Sequence, residues 1–108
     1  MNVMIYGTKK CAETRKAERF FRERRIPAQF RDVGEKPLTE GELKGLAAGH
    51  RIDELLDAES TAYERRGLAH MEFDPEEELL RDPGLLVTPI IRIDRKSFIR
   101  PVLSSLPL

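Results

Sequence analysis

The strongest constraint on the fold is the segment Asn2-Val3-Met4-Ile5-Tyr6, an apolar run closed by Gly7. It does not alternate between apolar and polar residues, so a strand here must be covered on both faces, as the central strand of a parallel sheet is. Thr8-Lys9-Lys10 is polar and forms a loop. A helix is predicted from about Ala12 to Arg25, because Ala17, Phe20 and Phe21 share a face while the remaining positions are mostly charged. Pro27 ends that helix, and Ala28 to Val33 reads as a second short strand. The result is a β-α-β unit, which pairs its strands in parallel.

A helical block comes next. Glu35-Lys36-Pro37 is a turn. Thr39 and Glu42 have capping-box spacing, so a helix is predicted from there to about Ala48, closed by Gly49. Short helices are expected over Ile52 to Leu56 and Thr61 to Arg66. Asp74-Pro75-Glu76-Glu77-Glu78 opens another, with a cap, a first-turn proline and acids that complement the helix dipole. It ends near Arg81, before Pro83-Gly84. Pro89 to Ile93 and Phe98 to Arg100 are predicted as strands joined by a turn over Asp94-Arg95-Lys96-Ser97. The expected fold is α/β, a mixed four-stranded sheet in one domain over 1–108, with a helical insertion at about 39–82.

Composition removes several functions. Lys plus Arg and Asp plus Glu both number 19, giving net charge zero, which argues against direct nucleic-acid binding. Apolar stretches are too short for a membrane span. Met1-Asn2-Val3-Met4 has no signal-peptide pattern. The single cysteine excludes an internal disulfide and a cysteine-rich metal centre. His50 and His70 have no metal-pair spacing and are expected to be solvent-exposed, so no metal site is expected. A lone cysteine without an export signal fits a reducing cytoplasm. Charge is unevenly placed. Residues 9–25 carry net +5, and residues 35–82 carry net −8. Solvated helix faces account for this pattern, and a basic apron that draws anions toward Cys11 is the functional alternative.

Cys11 is the candidate nucleophile, since it stands where the first strand's loop turns into a helix. Free amides and the positive dipole end at that position favour a thiolate over a thiol. Lys9 and Lys10 add positive potential, and Glu13 opposes it. Position 14 holds threonine where a C-x-x-C pair would have its second thiol, so any redox cycle needs an external thiol. The Thr14 hydroxyl either bonds the thiolate or lies on the helix surface. Pro89, at the start of a strand, is a candidate cis-proline that exposes the backbone of Thr88.

Tyr6-Gly7-Thr8-Lys9-Lys10-Cys11, with a basic helix behind it, resembles the start of the arsenate reductase family with a glutaredoxin-like fold, a family that includes the Spx transcriptional regulators. The likeness continues through Glu35-Lys36-Pro37-Leu38-Thr39, Glu42-Leu43, Leu55-Leu56, Tyr63-Glu64, Gly67-Leu68-Ala69, Thr88-Pro89-Ile90-Ile91 and Arg100-Pro101. It implies a thioredoxin-like fold with an inserted helical block, Pro89 as the cis-proline and Cys11 as the nucleophile. It also implies glutathione or a protein thiol as partner, with no bound cofactor. Lys10, Thr14, Thr88, Pro89 and Arg100 become the candidate substrate-binding residues. The family's reductases hold the oxyanion with arginines, of which Arg100 matches one. Thr88 stands where a second is expected, and Asp57-Ala58-Glu59-Ser60 where a third is. An oxyanion needs cations or preorganised donors, so poor arsenate reduction is expected, and a monothiol, glutathione-linked role is favoured. The alternatives are an Spx-like regulator docking on RNA polymerase or another protein, and a non-catalytic member.

Overall fold

The computed structural model describes residues 1–108. The first strand, β1 (Val3–Gly7), is buried nearly throughout and sits second in a four-stranded sheet of order β2-β1-β3-β4. It pairs in parallel with β2 (Gln29–Asp32) and antiparallel with β3 (Ile90–Ile93). The sheet closes with β4 (Lys96–Ile99), antiparallel to β3. This is the mixed α/β sheet expected from the β-α-β unit and terminal hairpin.

The hairpin corrects one boundary. The turn is only Asp94-Arg95, and β4 begins at Lys96 rather than Phe98, with Ile93 paired to Lys96 and Arg92 to Ser97. The polar residues Lys96 and Ser97 suggested a longer loop. Ser97 is nonetheless buried, because its hydroxyl donates to the Leu46 carbonyl at 2.7 Å.

The period-two geometry of β1 separates two cores. Val3 and Ile5 face helix α1 (Ala12–Glu23) and pack with Ala17, Phe21, Ile91, Ile93 and Leu106. Tyr6 faces the other way, into the helical block between β2 and β3, where Val33, Leu43, Leu46, Leu55, Leu68, Leu79, Leu85 and Ile90 gather around it. Helices α2 (Glu40–Ala47), α3 (Thr61–Arg65) and α4 (Pro75–Arg81) therefore cover the second sheet face, with short 3₁₀ turns between them. The caps at Thr39 and Asp74 are those the sequence predicts, and Ser60 adds one it did not name. Thr39 and Glu42 form a full capping box, Ser60 caps α3 and Asp74 caps α4. Gly49 follows α2 with a left-handed φ of +83°, a conformation glycine adopts without a Cβ clash.

Arg31 on β2 ties the sheet edge to the inserted block. Its guanidinium bonds both carboxylate oxygens of Glu42 and donates to the carbonyls of Pro37, at 2.9 Å, and Lys36, at 3.2 Å. His50 departs from expectation. Its Nε2 lies 3.0 Å from the Ser97 carbonyl, and its ring is partly buried against the hairpin rather than exposed. No helix is long and apolar enough to cross a membrane.

Candidate active site

Cys11 is the N-cap residue of α1, with extended backbone at φ −79° and ψ 117°, and it is partly exposed. Its position is set by β1. The strand ends at Gly7, the Cys11 amide donates back to the Thr8 carbonyl at 3.1 Å, and the helix begins at Ala12. The thiol Sγ lies 3.6 Å from the carbonyl oxygen of Thr88. The Thr88-Pro89 peptide bond is cis, at the entrance to β3. The two segments singled out from the sequence thus meet at one end of the sheet.

Thr14 is fully buried, not on the helix surface. It lies three residues before Ala17 and seven before Phe21, so it extends the buried stripe of α1 back to the site. A Cβ added at Gly7 would stand 2.3 Å from the Thr14 hydroxyl oxygen, so the absence of a side chain at Gly7 is what admits Thr14. The Thr14 hydroxyl has no hydrogen-bond partner in the resting geometry, although it is buried. It is one of the groups that favour the Cys11 thiolate. Burial pushes the thiol up, but the Thr14 hydroxyl, Thr88 and the amides of Thr14 and Glu13, all placed to favour the charged form, outweigh it and leave Cys11 below the ordinary thiol range. We read the unpartnered hydroxyl as a donor that forms its bond when the sulfur is ionised. Lys9, Lys10 and Arg15 are all exposed around this helix end; Lys9 pairs with Glu35, and the Arg15 guanidinium donates to the Lys9 carbonyl at 2.7 Å.

A cleft of about 760 Å³ opens beside Cys11. Thr8, Lys10, Thr88 and Arg100 line it on the sheet side, and Asp57, Ser60, Thr61, Arg65, Arg66 and Asp82 on the inserted block. Lys10, Cys11, Thr88 and Arg100, four of the residues singled out from the sequence, therefore line one cleft. Thr14 lies beneath the sulfur, and buried Pro89 shapes the backbone next to it.

Arg65 and Arg66 escape the sequence reading. Residues 57–60 put acids in place of an arginine, but two arginines stand a few positions further along the chain. Ser60 starts α3 by accepting the Tyr63 amide at 3.1 Å, and the last turn of that helix carries both arginines to the cleft. The signal is the serine as an N-cap, with basic residues one helical turn later. Arg66 is spent on the protein itself, bonding Glu78 and, at 3.3 Å, Asp82. Arg65 and Lys10 have no ion-pair partner and are exposed. Nowhere do three His, Cys, Asp or Glu side chains gather in a way that could hold a metal ion.

No protein-family model matches the chain, and no curated protein matches its sequence. Solved structures do match. The chain is similar to the arsenate reductase from Vibrio cholerae, with a TM-score of 0.81 over 98% of each chain at 22% identity. It is also similar to an arsenate reductase (ArsC) related protein from Brucella melitensis, with a TM-score of 0.73, 22% identity and coverage of 92% of this chain and 86% of that one. The fold is therefore the thioredoxin-like one, with its inserted helices, that the sequence resemblance implies.

Proposed function

We propose that this chain is a monothiol thiol–disulfide oxidoreductase of the arsenate-reductase-like kind, with Cys11 as nucleophile and glutathione as partner thiol. The observation that carries the reading is the meeting of Cys11, at the amide end of α1, with the Thr88 carbonyl beside cis-Pro89. The Cys11 thiolate attacks the glutathione sulfur of a glutathione mixed disulfide. A Cys11–glutathione bond forms, the original disulfide breaks, and the other sulfur leaves as a thiolate. A second glutathione thiolate then attacks the glutathione sulfur of that bond. Cys11 is released as a thiolate and oxidised glutathione departs, so each turnover consumes one free glutathione and leaves the substrate as its thiol. With Thr14 in place of a second cysteine, no intramolecular step competes.

Glutathione carries two carboxylates, and the cleft offers two unpaired cations, Lys10 on the β1–α1 loop and Arg65 on α3. Thr88 places backbone and a hydroxyl rather than a cation beside the sulfur, which suits an extended peptide better than an arsenate oxyanion. Weak or absent arsenate turnover is expected, and glutaredoxin-coupled turnover by the wild type is the assay that checks it. The reducing cytoplasm is the compartment in which such a cycle runs. The Spx-like alternative lacks its second switch cysteine here, because Thr14 occupies that position and is packed against Gly7.

The test is glutathione-dependent reduction of a glutathionylated peptide. Wild type should turn over, and Cys11→Ser should show only the uncatalysed rate. Equal rates for the two proteins would remove Cys11 from the chemistry.

A further inference from the structure

We infer that Asp57 is a resident counter-anion that closes the Cys11 cleft to free oxyanions by occupying Arg100, and so sets the specificity of the site. Arg100 is the one guanidinium that shares an acceptor with the thiol. Its Nε donates to the Thr88 carbonyl at 2.9 Å, the same oxygen that the Cys11 sulfur approaches at 3.6 Å. An anion reaching the sulfur from the Thr88 side would meet this guanidinium. Its Nη2 donates instead to Asp57 Oδ2 at 3.3 Å. Nε and Nη2 form one edge of the planar guanidinium fork, the edge that grips an oxyanion with two parallel hydrogen bonds. In this chain both places on that edge are taken by the protein.

Asp57 is well fixed in this role. Its amide donates to the Leu85 carbonyl at 2.7 Å, and Val87 donates back to Leu55 at 2.8 Å, so the segment is paired to the strand leading into Thr88. Its Oδ1 accepts the Glu59 amide at 3.0 Å, leaving Oδ2 for Arg100. The side chain is only 19% exposed. An incoming arsenate or phosphate would therefore have to displace a held carboxylate while repelled by its charge. A disulfide sulfur is uncharged and meets no such barrier, and its carboxylates can dock at Lys10 or Arg65 on the rim. This inference builds on the placement of the substrate at Cys11, but anion binding at Arg100 does not require the thiol to react.

The test is therefore run in a Cys11→Ser background, with inorganic arsenate titrated calorimetrically. Asp57→Asn keeps an oxygen for the Glu59 amide and removes the charge. It should bind arsenate about tenfold more tightly than its parent, the size of one charge-assisted hydrogen bond. Adding Arg100→Gln should erase that gain. Asp57→Ser provides the same comparison should Asp57→Asn fold poorly, with circular dichroism as the check. No gain in either folded variant, or a gain that survives Arg100→Gln, would overturn the inference. Because no thiol is present, either result leaves the proposed disulfide chemistry to its own test.

Discussion

At the scale of single residues, the site is a sulfur with donors arranged beneath it. Thr14 gives the sharpest case. A buried hydroxyl without a partner costs about 1–3 kcal/mol, so Thr14→Val should leave the fold no less stable, or slightly more. The same change removes a donor to the thiolate, so the half-point of pH-dependent Cys11 alkylation should move up. Alkylation with iodoacetamide across pH checks both proteins. Wild type should reach half-rate below the free-thiol value of about 8.5, and Thr14→Val should lie closer to it. An unchanged profile would assign Thr14 to packing alone. The linked stability effect has a definite sign. Because ionised Cys11 is favoured in the folded chain, its contribution is complete above the unfolded thiol's pKa and is lost as pH falls through the lowered folded value.

At the scale of elements, the strand–loop–helix junction depends on contact between Gly7 and Thr14. Gly7→Ala should cost about 1–3 kcal/mol, because the methyl overlaps the Thr14 side chain rather than open space. Thr14→Ala should recover part of that loss in the double variant, which chemical denaturation would show. Helix α2 makes an independent prediction. Thr39→Ala breaks the capping box and should cost about 1 kcal/mol by the same measurement. Its partner Glu42 also links the block to β2. Burial pushes the Glu42 carboxyl up, but the Arg31 guanidinium and the Thr39 amide outweigh it, so the group stays below the usual carboxylate range. The stability gap between wild type and Glu42→Gln should therefore be full above the unfolded pKa of about 4.3 and shrink as pH falls through the lowered folded value. A gap constant down to pH 2 would contradict that assignment.

At the scale of the whole molecule, much of the architecture was legible because local signals agreed. The unbroken apolar run of β1, the Thr39 capping box and the Asp74-Pro75 helix start each carry their own structure. What was not legible depends on long-range contacts. Ser97 is buried by the Leu46 carbonyl, 51 residues away in sequence, and His50 by the Ser97 carbonyl, 47 residues away. Neither contact leaves a local mark. The candidate site divides in the same way. Cys11, Lys10, Thr88, Pro89 and Arg100 were readable as a motif series, whereas the pairing of Asp57 with Arg100 spans 43 residues and appears only once the block folds back on the sheet. The central claim, that this fold makes Cys11 a reactive monothiol, is tested most directly by its rate of reaction with oxidised glutathione at neutral pH. One glutathione should add per chain, at Cys11, faster than to an unstructured cysteine peptide. Addition at an equal or slower rate would contradict the claim.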